Sequence, residues 1–195
     1  DAFLDAGYDI DARSESGDTA ALLASMLAGE YSTVFLDAVL KRGGNALAVD
    51  SDGNSCMTNT CRFQTSHVTP KMLSNVAETC RILVENGANP NTVNANGDDV
   101  LSVLLSYYPD IPADDPSEWL EAFERLLSAL RDGGYDFGAY SERILEKTVV
   151  HPYGQLNAAF LTAFGAPAES AVSAVAKAMA SKKGPDTWSP TRNPE

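Results

Sequence analysis

The stretch from residue 83 to residue 98, LVENGANPNTVNANGD, constrains the fold of this chain more than any other feature. Two aliphatic residues precede Gly87, and a glycine just past the last helical turn takes the left-handed conformation that ends a helix. Asn96 and Gly97 then form a pair that favours a tight hairpin turn. A new apolar run follows directly. This order predicts a helix, a hairpin and a second helix.

The same order of glycines recurs along the chain. The helix-ending glycines lie 36, 44 and 47 residues apart, so the repeated unit varies in length. The extra residues fall at 62–75 and 106–117, between the two helices of a unit. Long loops on a rigid repeat commonly carry function, although surface insertions are also tolerated because closing a longer loop costs little. The positions that match Gly87 are Gly7, Gly43 and Gly134, and those that match Gly97 are Gly17 and Gly53.

In these features the chain resembles the ankyrin-repeat family, whose period is about 33 residues. The resemblance implies an all-α fold, an ankyrin-type α-solenoid of helix-turn-helix repeats that binds other proteins. The family opens its first helix with Thr-Pro-Leu-His, and here Thr19, Ser55 and Asp99 hold the first position as expected helix caps. No unit has the proline or the histidine. We therefore do not expect the family's usual hydrogen-bond ladder between repeats.

The pattern divides the chain into three parts. Divergent repeats are expected over 1–138, and the first residues resemble the end of a second helix, which predicts that the sequence begins inside a repeat. A degenerate repeat and an alanine-rich C-terminal capping helix cover 139–183. An extended, proline-rich tail covers 184–195. The helices are expected at 19–27, 32–41, 55–62, 75–85, 99–107 and 117–131.

Composition restricts the possible partners. The formal net charge of −13 repels phosphate backbones and disfavours nucleic acid. It favours a basic protein, although acidity also simply keeps a protein in solution. The sequence has no run of about 18 consecutive apolar residues, the length that a membrane span needs. The three cysteines are expected to be buried free thiols rather than disulfides or zinc ligands. We also expect an intracellular protein, in the cytoplasm or an organelle interior.

Catalytic signals are weak. His67 and His151 are far apart, and neither belongs to a recognisable arrangement with a serine, cysteine or carboxylate in the sequence. The run 50–55 is similar to a calcium loop, but its glycine is fourth rather than sixth and Cys61 replaces the glutamate at position twelve. We expect a hairpin there, and no enzyme, metal or cofactor. The alternatives are a structural subunit of a larger assembly, held by its loops and tail, and an enzyme with a divergent repeat domain.

The resemblance implies that a partner meets the hairpin tips and the exposed first-helix positions next to them. In the tail, Trp188 is a candidate second contact, either on a neighbouring subunit or folded back on the capping helix. The expected partner-binding residues are Glu15, Ser16, Asp18, Leu22, Asp52, Asn54, Thr58, Asn94, Asn96, Asp98, Ser102 and Trp188.

Overall fold

The computed structural model describes residues 7–26, 32–62, 68–106 and 117–137, and these ranges are all-α. They contain an isolated antiparallel bridge between Val49 and Ser55 but no strand. The predicted degenerate repeat, capping helix and tail, with Trp188, lie outside them. The helices in these ranges are α1 (Ala20–Ser25), α2 (Ser32–Leu40), α3 (Cys56–Asn59), α4 (Pro70–Glu85), α5 (Val100–Ser106) and α6 (Ser117–Asp132).

The helices pack in two rows. The short helix α1 contacts α3, and α3 contacts α5. In the second row α2 contacts α4, and the two longest helices, α4 and α6, pack most extensively on each other. The rows are joined where α1 meets α2 and where α3 meets α4. The largest fully buried apolar side chains come from both rows and include Leu22, Met57, Leu83 and Leu126.

The first-row helices begin at the predicted caps. The backbone N–H of Leu22 donates to Thr19 Oγ1 at 3.3 Å, and that of Thr58 donates to Ser55 Oγ at 3.2 Å. Asp99 Oδ1 accepts from the N–H of residue 102 at 2.7 Å. A capping oxygen satisfies one of the N–H groups that the first turn leaves without a helical partner. The three predicted caps are therefore confirmed.

Two predicted helix boundaries were wrong. Helix α4 begins at Pro70 rather than at residue 75, because Thr69 caps it and proline at the first helical position has no N–H to satisfy. Helix α3 ends at Asn59 instead of continuing to residue 62. Its threonines explain the early end, since Thr60 Oγ1 donates to a main-chain carbonyl of α3 at 2.8 Å and such bonds compete with helical ones.

Positive φ angles occur at all seven glycines that the sequence pattern placed at helix ends and hairpins, and at no other described residue. The position of Gly53 shows the reason most directly. Its φ is +74°, and a Cβ atom there would lie 3.1 Å from the backbone nitrogen of Ala95. A side chain would therefore strain the turn and also push the next hairpin away.

Three hairpins of the same form occur in the described ranges. Each hairpin is closed by a backbone hydrogen bond of 2.9 Å from the N–H of its first residue to the carbonyl of its fifth. Within each, the N–H of the glycine also donates to the carbonyl of the first residue. The same sequence order thus gives the same turn three times. The hairpins are hairpin 1 (14–18), hairpin 2 (50–54) and hairpin 3 (94–98).

Neighbouring units are also joined by side chains that accept backbone hydrogen bonds. Asp11 Oδ1 accepts from the N–H of Asn45 at 2.8 Å, and Asn91 Oδ1 accepts from the N–H of Asp136 at 2.7 Å. Asp11 and Asn91 each stand four residues after a helix-ending glycine. Leu47 holds the same place in the intervening unit, cannot accept a hydrogen bond, and is 61% exposed. This series of inter-unit bonds is therefore interrupted at Leu47.

Candidate functional site

Hairpins 2 and 3 touch each other directly. The N–H of Ala95 donates to the carbonyl of Asp52 at 3.1 Å. The side-chain amide of Asn94 donates to Asn54 Oδ1 at 3.0 Å. A main-chain bond and a side-chain bond together fix the separation of the two tips.

The carboxylate of Asp50 organises hairpin 2 from inside. Its Oδ1 accepts from the N–H of Asp52 at 2.9 Å and from the N–H of Asn54 at 2.8 Å, and its Oδ2 accepts from the Asn54 amide at 2.9 Å. Its side chain is only 8% exposed. Bonds from N–H groups to a charged acceptor are the stronger kind in proteins. The tip is therefore held in one shape before any partner arrives.

Hairpin 3 repeats this arrangement with an amide in place of the carboxylate. Asn94 Oδ1 accepts from the N–H of Asn96 at 3.0 Å and from the N–H of Asp98 at 2.9 Å. Because Asn94 also donates to hairpin 2, one side chain shapes its own hairpin and joins it to the preceding one.

A concave pocket of about 520 Å³ lies at these two tips, and we call it the tip pocket. Two acidic residues line it, the exposed Asp52 and the half-buried Asp98, together with one cationic residue, Arg62. Asparagines supply most of the remaining polar lining. The lining residues are Asp52, Asn54, Arg62, Asn94, Ala95, Asn96, Asp98 and Val103.

Arg62 was not among the predicted site residues. It follows α3, and its Nη1 lies 3.3 Å from Asn59 Oδ1 and 3.5 Å from Asp50 Oδ2. Its side chain is 33% exposed. One signal in the sequence could have drawn attention to it, since it is the only lysine or arginine between Arg42 and Lys71.

The structure brings together five of the predicted site residues at the tip pocket and places the other tip residues elsewhere. Glu15, Ser16 and Asp18 belong to hairpin 1 and do not line it. There Ser16 Oγ donates to Asp18 Oδ2 at 2.7 Å. Trp188 lies outside the described residues. The five that line the pocket are Asp52, Asn54, Asn94, Asn96 and Asp98.

The prediction that Leu22, Thr58 and Ser102 are exposed was wrong, because all three are completely buried. Each is the third residue after a helix cap, and its N–H donates to that cap. All three belong to helices of the first row, which contact one another. Asn54 is also only 5% exposed, with its amide engaged by neighbours, so it shapes the pocket more than it offers a contact.

A second concavity of about 870 Å³ lies between α4 and α6, and we call it the helix groove. Its two arginines pair with glutamates of their own helices. Arg81 Nε donates to Glu78 at 2.9 Å and the same guanidinium also pairs with Glu85, while Arg125 pairs with Glu121. The hydrogen bond from Arg81 lowers the pKa of Glu78, and both glutamates raise the pKa of Arg81.

The predicted buried free thiols are confirmed for Cys56, Cys61 and Cys80. Burial raises the pKa of Cys56 to about 11 and that of Cys80 to about 12, and it raises the pKa of Cys61 well above its ordinary value. Thr60 Oγ1 lies 3.6 Å from the sulfurs of both Cys61 and Cys80. Since the thiolate is the reactive form, these thiols are poorly suited to act as nucleophiles.

In the described part of the chain, His, Cys, Asp and Glu side chains nowhere form a group of three or more that could hold a metal ion. None of its helices combines the length and apolar character needed to cross a membrane.

Comparison with known proteins gives no functional information, so the inference of function depends on the tip pocket. No protein-family model matches the sequence, and no curated protein matches it.

Proposed function

We propose that this chain is a non-catalytic scaffold of ankyrin type whose tip pocket binds a basic segment of another protein. The observation that carries the proposal is that five residues expected at hairpin tips line one pocket. Two features support the ankyrin-type solenoid. The helix, glycine and hairpin order recurs, and the first and second helices of successive units pack in separate rows.

The charges of the pocket favour a cationic partner. Asp52 is exposed, and its carboxylate makes no hydrogen bond with another described residue. Together with Asp98 it outnumbers the single guanidinium of Arg62. The net charge of −13 adds a long-range attraction for basic partners and disfavours nucleic acid.

The geometry of the pocket suits recognition of a peptide segment. The tips are already fixed by Asp50, by Asn94 and by the bond from Ala95 to Asp52. A surface that is ordered in advance loses less entropy when it binds. Binding energy can then come from a few charged contacts instead of being used to order the hairpins.

The proposal can be tested by selecting phage-displayed random peptides on the immobilised protein. We expect the selected peptides to be enriched in lysine and arginine and to bind less tightly as salt is raised, because salt screens exposed charges. The double variant Asp52→Lys/Asp98→Lys should no longer bind these peptides, since two lysines repel the basic residues that the two carboxylates attract.

The matched control is Glu124→Lys, an exposed residue of α6 that lines the helix groove instead of the tip pocket. It also places a lysine on the surface but should leave binding nearly unchanged. Peptides without basic residues, or equal loss of binding in the tip and control variants, would contradict a binding site at the tips.

A further inference from the structure

Arg62 gives the tip pocket a positive side as well as a negative one. Asp52 and Asp98 come from the hairpin tips, whereas Arg62 comes from the turn after α3. The pocket therefore has cationic and anionic walls supplied by different parts of the fold.

The charge of Arg62 is only partly compensated by Asp50. The Asp50 carboxylate already accepts three N–H groups of hairpin 2 at 2.8–2.9 Å, while its distance to Arg62 is 3.5 Å. Within the described residues both contacts of the guanidinium come from Nη1. Nη2 and Nε thus form an edge that a carboxylate can accept from in the two-pronged geometry that arginine favours.

We infer that the segment bound in the tip pocket carries mixed charge, with a basic side chain at Asp52 and Asp98 and a neighbouring carboxylate at Arg62. This inference rests on the proposed function and specifies the chemistry of the partner. Arg62 is then the residue that determines specificity, because it attracts the acidic residue and repels a second basic one. A polybasic segment is correspondingly a poor partner.

The inference is tested with three short glycine-serine peptides of equal length, one with two lysines, one with adjacent lysine and glutamate, and one with two glutamates. Titrations monitored by NMR shifts of the pocket asparagines measure the affinity of each. Wild-type protein should bind the mixed peptide tightest. In Arg62→Gln the mixed peptide should weaken and the dilysine peptide should strengthen, each by about threefold, the scale of one exposed ion pair.

Two control variants accompany this measurement. Arg125→Gln removes the same charge from the surface of α6 and should leave the order of the peptides unchanged. Arg62→Lys keeps the charge but not the planar fork, and should retain part of the preference for the mixed peptide. Thermal unfolding of each variant establishes that the fold is intact before affinities are compared.

The outcomes separate this inference from the proposed function. A preference for the dilysine peptide that Arg62→Gln leaves unchanged would overturn the mixed-charge inference, and the basic-segment site would stand if Asp52→Lys/Asp98→Lys still abolished binding. Equal binding of all peptides by that double variant and the wild type would overturn both. A reversal of preference in Arg62→Gln alone supports the inference.

Discussion

The tip pocket and the helix groove contain the same kinds of charged residue but differ in how these residues are paired. In the groove, Arg81 and Arg125 pair with glutamates three or four positions away on their own helices. Among the described residues of the tip pocket, Asp52 has no such neighbour, and the one carboxylate that Arg62 contacts is that of the buried Asp50, at 3.5 Å. The arginines of the groove are thus paired along their own helices, whereas Asp52 at the tips presents its charge to the solvent.

This difference comes from secondary structure. A helix brings residues three and four apart to the same face, so opposite charges at that spacing neutralise one another. A hairpin has no such spacing, and its first polar side chain is occupied by backbone N–H groups, as Asp50 and Asn94 show. The carboxylate of Asp52, a later residue of hairpin 2, is therefore not needed to shape the turn. The pairing of the arginines thus distinguishes the two concavities better than their volumes do.

The largest expected effect tests whether Asp50 holds the tip in shape. Asp50→Ala removes the acceptor of three N–H groups and should lower the free energy of unfolding by about 2–3 kcal/mol, since hydrogen bonds to a charged group are worth more than neutral ones. Urea unfolding measures the loss. The comparison variant is Asp37→Ala, which removes an exposed helical ion pair with Lys41 and should cost far less. Similar losses in both variants would remove the distinction between tip and helix carboxylates.

A smaller effect tests the hydrogen bonds that join the units on the hairpin side. Leu47→Asn introduces an acceptor where Asp11 and Asn91 have one, and should raise the free energy of unfolding by about 0.5–1 kcal/mol by accepting the N–H of Asn89. Leu47→Ala, which removes the exposed side chain without adding an acceptor, is the control. If both variants change stability equally, the missing acceptor is not what weakens this junction.

The smallest effect concerns the groove. Arg81→Ala removes the pairs with Glu78 and Glu85 and should lower the free energy of unfolding near neutral pH by less than the preceding variants change it, because each exposed helical pair contributes little. Arg81 lowers the pKa of Glu78 below its ordinary value of 4.5. Its contribution is therefore present above that pH and is lost as the pH falls through the lowered value.

Unfolding measured from neutral to acid pH checks this expectation. The stabilities of the wild type and Arg81→Ala should converge in acid, and high salt should reduce their difference at neutral pH. A difference that persists at low pH would mean that Arg81 acts through packing and not through its charge.

The sequence predicted the features that depend on single residue types. Positive φ and capping are local requirements, so glycines such as Gly53 and caps such as Asp99 could be assigned without knowing the neighbours. The start of α4 could also have been predicted from Thr69 and Pro70, but those residues were assigned to the insertion.

Features that depend on packing were not predicted. The burial of Thr58 follows from contacts between helices in different units, which local spacing does not reveal. The role of Arg62 depends on the position of Asp50 across the short α3. Predicting such a pairing requires the path of the chain between the two residues. The irregular length of the units made that path unpredictable from the sequence.

The buried thiols make this chain a reporter of its own internal motions. Because burial raises the pKa of Cys56 to about 11 and that of Cys80 to about 12, an alkylating reagent at neutral pH meets almost no thiolate while the fold is closed. Labelling then proceeds through transient openings, and its rate measures how often they occur. Cys56 lies on α3 in the first row and Cys80 on α4 in the second. Their relative labelling rates would show which of the two rows opens first.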